Sequence, residues 1–222
     1  MYIFSRSTIA ALGRQFDAIP AAVGVAELVT KLTGKDVNVF TGRFGAPQGS
    51  VMWTARTESM VELQEMTDKL MADAGYLEML ESMNGLFMAP AEDRLGRVLT
   101  GPLDAASSKY YGVTRAAMLN GKQADAIAFG IKTAEYIGKS LGTQSGFSKS
   151  GYGGFNDVTW LVGFDSEADV DAFDDWQMSD SGYHDIVAEA GELFVENSGH
   201  TSLIERIAGP PAPDRPDDTG QE

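Results

Sequence analysis

The sequence predicts an α+β chain built as two tandem βαββααβ units, and three observations carry that expectation. The first is an internal repeat in near-constant register. The second is a matching succession of short alternating stretches and longer helical ones in each half. The third is the recurrence of the same helix-ending and helix-starting residues at equivalent positions. Arg14–Gly34 (RQFDAIPAAVGVAELVTKLTG) aligns with Lys122–Gly142 (KQADAIAFGIKTAEYIGKSLG) at an offset of 108. Gln15, Asp17, Ala18, Ile19, Ala26, Glu27, Lys31 and Gly34 recur as Gln123, Asp125, Ala126, Ile127, Ala134, Glu135, Lys139 and Gly142. Past residue 50 the offset becomes 107: Val51-Met52-Trp53 answers Val158-Thr159-Trp160, and Asp73-Ala74-Gly75-Tyr76 answers Asp180-Ser181-Gly182-Tyr183. A register kept with one single-residue slip across a whole unit is the mark of duplication.

Each element follows from local pattern. Tyr2–Ala10 reads as a strand, broken by Gly13. Arg14–Leu32 carries Ile19, Val23, Ala26 and Val29 at helical spacing, with Gly34 placed as a C-terminal glycine. Val37–Phe44 and Ser50–Thr57 alternate as strands around the turn chemistry of Gly45-Ala46-Pro47-Gln48-Gly49. In the second of these strands Val51, Trp53 and Ala55 share one face, and Met52, Thr54 and Arg56 the other. Ser59, with Glu62 three residues on, starts a helix over Met60–Met71, and Asp73 starts another over Asp73–Phe87. A short strand over Asp93–Leu99 closes the unit. The second unit follows suit, with strands over Lys109–Met118, Ser145–Tyr152, Val158–Phe164 and His200–Ile207, a first helix over Gly121–Leu141, and helices capped by Ser166 and Asp180. The expected organisation is therefore a first repeat over 1–99, a linker over 100–107, a second repeat over 108–208, and an acidic, proline-rich tail over 209–222 that lacks the apolar content to fold.

Charge and composition narrow the function classes. The formal net charge is −15, with 9 basic and 13 acidic side chains in residues 1–106, 7 and 15 in 107–208, and 1 and 4 in 209–222. No segment is basic, so nucleic acid and anionic membranes are not expected partners. No run of about 18 apolar residues is present to form a membrane span. The absence of cysteine excludes disulfide and thiolate chemistry. The amino terminus begins in a strand-like stretch without signal-peptide character, and a cytoplasmic protein is the expectation.

The order of elements, and the run from Trp160-Leu161-Val162-Gly163-Phe164 through the Asp165-Ser166-Glu167-Ala168 cap to the helix break at Met178-Ser179-Asp180, resembles the ferredoxin-like, dimeric α/β-barrel superfamily. Its NIPSNAP-like and antibiotic-monooxygenase-like groups are the most similar, and the resemblance covers nearly all of residues 1–208. In that superfamily two units pair their sheets as a homodimer. A tandem copy implies the same arrangement within one chain, since a sheet covered by helices on one face needs a partner for the other. The product would be a monomeric pseudo-dimer, or a protomer of a homo-oligomer. The resemblance implies a small-molecule-binding protein with an apolar cavity. As alternatives it implies a cofactor-independent monooxygenase, a haem-binding oxidoreductase, or a non-catalytic scaffold.

Candidate site residues follow from what the two units share and where they differ. The only histidines, His184 and His200, lie in the second unit, opposite Leu77 and Asp93 of the first. His184 is the candidate catalytic residue, or haem ligand by resemblance, although the proximal histidine of haem-degrading relatives would fall a turn later, near Val187. Trp53, Trp160, Tyr76 and Tyr183 recur as pairs; core packing is one expected role and ligand contact at a cavity wall the other, because each ring carries one polar handle. Arg6 and Arg115 lie in the first strands of the two units, and an arginine turned into the barrel would hold a carboxylate or phosphate. No metal-ligand cluster is expected, and no resident cofactor beyond the haem alternative. The expected ligand is a small, mostly apolar molecule.

Overall fold

The computed structural model describes residues 1–101 and 108–210. Its elements run β1 (Tyr2–Ala10), α1 (Gln15–Thr33), β2 (Val37–Phe44), β3 (Ser50–Thr57), α2 (Met60–Met71), α3 (Ala74–Ser82), β4 (Phe87–Thr100), β5 (Tyr110–Ala117), α4 (Gln123–Leu141), β6 (Ser145–Tyr152), β7 (Asp157–Phe164), α5 (Glu167–Ser179), α6 (Ser181–Ala188), a single 3₁₀ turn at Glu189–Glu192, and β8 (His200–Ala208). The predicted βαββααβ order recurs in both halves. The linker residues 102–107 and the tail from 211 onward lie outside the described residues.

The caps stand where the sequence places them. Gly34 and Gly142 end α1 and α4 in the left-handed conformation, at φ 72° and 63°. Ser59, Asp73 and Asp180 each accept a hydrogen bond from a first-turn backbone N–H, from Glu62, Tyr76 and Tyr183 respectively. Ser166 and Asp169 form a reciprocal capping box on α5. One expectation changes: α3 stops at Ser82, and β4 begins at Phe87, well before Asp93. Gly85, at φ 77°, turns the chain directly back into the sheet, so Phe87-Met88 pair with Ala10-Ile9 of β1.

Eight antiparallel strands close into one barrel, ordered β1-β3-β2-β8-β5-β7-β6-β4. Each unit contributes four neighbouring strands, and the seams are β2·β8 and β4·β6. Closure removes the open edges that each four-stranded sheet would otherwise expose. At each seam a glycine permits the close approach. A Cβ on Gly45 would lie 2.2 Å from the Thr201 carbonyl oxygen, and one on Gly101 2.2 Å from that of Ser145. All the helices lie outside the barrel, so each strand has a helix-facing side and a lumen-facing side.

The helix-facing sides make the main cores. In the first unit Ala22, Ala26, Val39, Val51, Ala55 and Met66 pack with Trp53 and Phe87. In the second, Trp160 sits among Phe147, Phe194 and Phe129, with ring centroids 5.0, 5.5 and 6.3 Å away. No helix among the described residues is long and apolar enough to cross a membrane.

Candidate functional site

Strand register decides what faces the lumen, because directly opposed residues share a face. In β5 and β7, Arg115 opposes Thr159, and in β6 Ser148 opposes the same Thr159. In β1 and β4, Ser5 opposes Arg94 and Ile3 opposes Gly96. These inward positions surround a cavity of about 460 Å³ that receives residues from all eight strands. That volume lies within the range of small-molecule sites.

One wall is apolar. Phe40, Met52, Tyr111, Val113, Leu161 and Ile204 cluster there, with Phe40 and Tyr111 edge to face at 5.7 Å between centroids. The neighbouring part of the lining is polar and carries Arg94, Arg115, Ser148, Ser150, Asp157 and Thr159. Lys35, Arg56 and Glu58 line the cavity toward the end where β3 finishes. The lumen is thus amphipathic, where the sequence suggested an apolar one.

The polar wall is electrostatically uneven. Arg94 is engaged, its guanidinium 2.8 Å from Glu92 Oε1 and 3.6 Å from Asp157 Oδ2. Arg115 makes no hydrogen bond or ion pair with any described residue. Burial pushes its guanidinium below the ordinary value; the Arg94 charge adds to that, and Glu92 and Asp157 oppose it. Arginine's ordinary value is so high that the group stays a cation at neutral pH. Beside it Ser148 is a buried residue, and neither its hydroxyl nor that of Thr159 has a hydrogen-bond partner among the described residues.

Of the residues singled out in the sequence, Arg115 alone lines this cavity. Arg6 has the opposite parity: it opposes Trp53, faces the helices, and forms a two-pronged pair with Asp93 at 2.7 Å on both arms. Trp53 and Trp160 stand between sheet and helices. Their indole N–H groups donate to the carbonyls of Ala22 (2.9 Å) and Gly130 (3.1 Å), equivalent residues of α1 and α4. Tyr76 is buried in the first unit, and Tyr183 accepts from Gln177 at 2.7 Å beside the Trp176 ring. His184 is exposed, its Nε2 2.8 Å from the Gln177 carbonyl oxygen, and His200 Nε2 lies 2.6 Å from the Gly45 carbonyl oxygen. Neither histidine lines the cavity, although His200 opposes Arg115 and shares its face of the sheet at the barrel end.

Haem does not fit these residues. The space between α6 and the sheet is filled by Phe164, Phe173, Trp176 and Tyr183, so no slot beside His184 is open to a macrocycle. Val187, the position implied by haem-degrading relatives, is not a ligating residue. Among the described residues no group of three or more His, Cys, Asp or Glu is placed to hold a metal.

The sequence reading missed Arg56, Arg94, Ser148 and Thr159. Their signal was the polar half of each strand's alternation, which in an open sheet would face water and in a closed barrel faces the lumen.

The chain matches no family model. It matches no curated protein either. Solved structures that match it over nearly the whole chain include monooxygenase-like and chlorite dismutase proteins of the ferredoxin-like, dimeric α/β-barrel fold. A protein of Fusobacterium nucleatum provisionally named a monooxygenase superposes with a TM-score of 0.72 at 7% identity, over 94% of this chain and 93% of that one. An anthrone oxidase-like protein gives 0.68 at 12% identity, over 96% and 93%. A chlorite dismutase of Candidatus Nitrospira defluvii gives 0.54 at 11%, over 93% and 91%. This chain therefore has the dimeric α/β-barrel fold, with both units in one polypeptide.

Proposed function

We propose that the protein binds a small molecule inside the barrel lumen. The observation that carries this reading is the cavity of about 460 Å³ walled by all eight strands. A closed barrel built only for stability would fill its centre with side chains, because interiors pack to crystal-like density. Native mass spectrometry of freshly purified protein tests the reading. A monomer carrying extra mass, lost when the lumen is filled by Val113→Trp, supports it. A co-purified mass that the filled variant retains sinks it.

A second reading is cofactor-independent oxygenation of an electron-rich aromatic compound in the same lumen. The match to the anthrone oxidase-like protein over nearly the whole of both chains favours it. The balanced reaction converts a ring CH₂ to C=O, consumes one O₂ and releases one H₂O. Oxygen uptake with anthrone, in metal-free and flavin-free buffer, tests it. Turnover at the no-protein rate would remove this reading and leave the binding reading standing.

A further inference from the structure

We infer that the lumen's ligand is a monocarboxylate, its carboxylate held by Arg115, Thr159 and Ser148 and its apolar body laid against the Phe40–Tyr111 wall. The inference rests on the lumen-binding reading and adds the ligand's chemical class and orientation. Three inward groups form a row across β5, β7 and β6, since Arg115 opposes Thr159 and Thr159 opposes Ser148. None of the three side chains has a hydrogen-bond or ion-pair partner among the described residues; Ser148 is a buried residue, and Arg115 and Thr159 are half-buried at the cavity wall. A guanidinium with no protein partner, flanked by two free hydroxyls on a cavity wall, is placed to take an anionic acceptor. A guanidinium fork accepts nothing and matches the two oxygens of a carboxylate.

Charge argues for one negative charge. The whole chain is strongly acidic, yet the lumen is lined by four basic side chains (Lys35, Arg56, Arg94, Arg115) against three acidic ones (Asp36, Glu58, Asp157). Glu92 and Asp157 already occupy Arg94, so a dianion beside them would meet repulsion that a monoanion meets only half as strongly. The apolar wall supplies the rest of the recognition and sets direction, with the carboxylate toward the start of β7 and the hydrocarbon toward Met52 and Ile204.

The test is calorimetric titration of the full chain with octanoate, 2-naphthoate and indole-3-acetate, each paired with its uncharged amide. At least one carboxylate is expected to bind at least tenfold tighter than its amide. Arg115→Met should weaken that carboxylate about 10- to 100-fold and leave the amide within threefold, because a charged, hydrogen-bonded pair is lost. Arg115→Lys should fall between, keeping the charge without the fork, and Ser148→Ala should cost the carboxylate alone a few-fold. Thermal melting confirms that each variant is folded. Amides that bind as well as carboxylates, or an Arg115→Met variant with unchanged carboxylate affinity, would overturn the monocarboxylate inference and leave lumen binding intact. Failure of every carboxylate and every amide to bind would count against both readings.

Discussion

At the scale of single residues, the two units solve one packing problem in two ways. In the second, Gly130 of α4 lies against the ring of Phe147, and a Cβ there would sit 2.2 Å from the ring. In the first unit the equivalent positions are Ala22 and Val39, so a larger helix residue meets a smaller strand residue. Gly130→Ala alone is expected to destabilise by about 1–3 kcal/mol through overpacking. Combined with Phe147→Val it should cost less than the two single changes added, and chemical denaturation of the four-member cycle checks this. Additive losses would mean the pair does not couple. Hemin provides a second residue-level test. No Soret shift dependent on His184 is expected on titration; a shift abolished by His184→Ala would show that the helix–sheet space opens.

At the scale of elements, the junction of α5 and α6 hangs on Asp180. Its carboxylate accepts from the Tyr183 backbone N–H at 2.7 Å and from the Tyr136 hydroxyl at 2.8 Å. The Tyr183 N–H first, and the Tyr136 hydroxyl second, hold it below the usual carboxylate range. The Glu167 carboxyl is held down too, first by the Tyr110 hydroxyl. A carboxylate whose value is depressed by folding contributes stability that is complete above its unfolded value, about 4, and lost as pH falls through the folded one. Melting temperature should therefore drop on acidification below about pH 4, and Asp180→Asn should flatten that drop. An unchanged acid slope in the variant would remove Asp180 from the account. Ser166→Ala should cost about 1 kcal/mol at neutral pH, as an ordinary lost cap. These caps were legible in the sequence because a cap is local: serine or aspartate, then a helix. The start of β4 was not, because Met88-Ala89-Pro90-Ala91 has no apolar alternation. Only the long-range pairing of Phe87 and Met88 with β1 makes it a strand.

At the scale of the molecule, the duplication and the single-chain barrel were legible, and the side of each strand that faces the lumen was not. The repeat register predicts the strands, the helices and their order. The role of an inward arginine depends on parity within a closed barrel, which no local pattern states. Arg6 and Arg115 look alike in sequence, yet pairing with Trp53 sends one to the helices and pairing with Thr159 sends the other to the lumen. The polar residues Ser5, Thr54, Ser148 and Thr159 gave no local signal of a lumen for the same reason. Closure also predicts behaviour of the parts. Residues 1–101 alone would expose the edges of β2 and β4, which in the whole chain pair with β8 and β6. That fragment is expected to sediment as a dimer that restores both seams with a second copy. A stable, well-folded monomer would contradict the pseudo-dimer account.

The central claim is that ligand enters the lumen and not the space between sheet and helices, and methyl NMR of the 23.8 kDa chain separates the two directly. Titration with the tightest-binding carboxylate should shift the methyls of Ile3, Val113, Leu161 and Ile204, which line the lumen, and leave those of Ile137, Val158 and Ile186, in the helix-side cores, in place. Shifts confined to Ile137, Val158 and Ile186 would contradict the account.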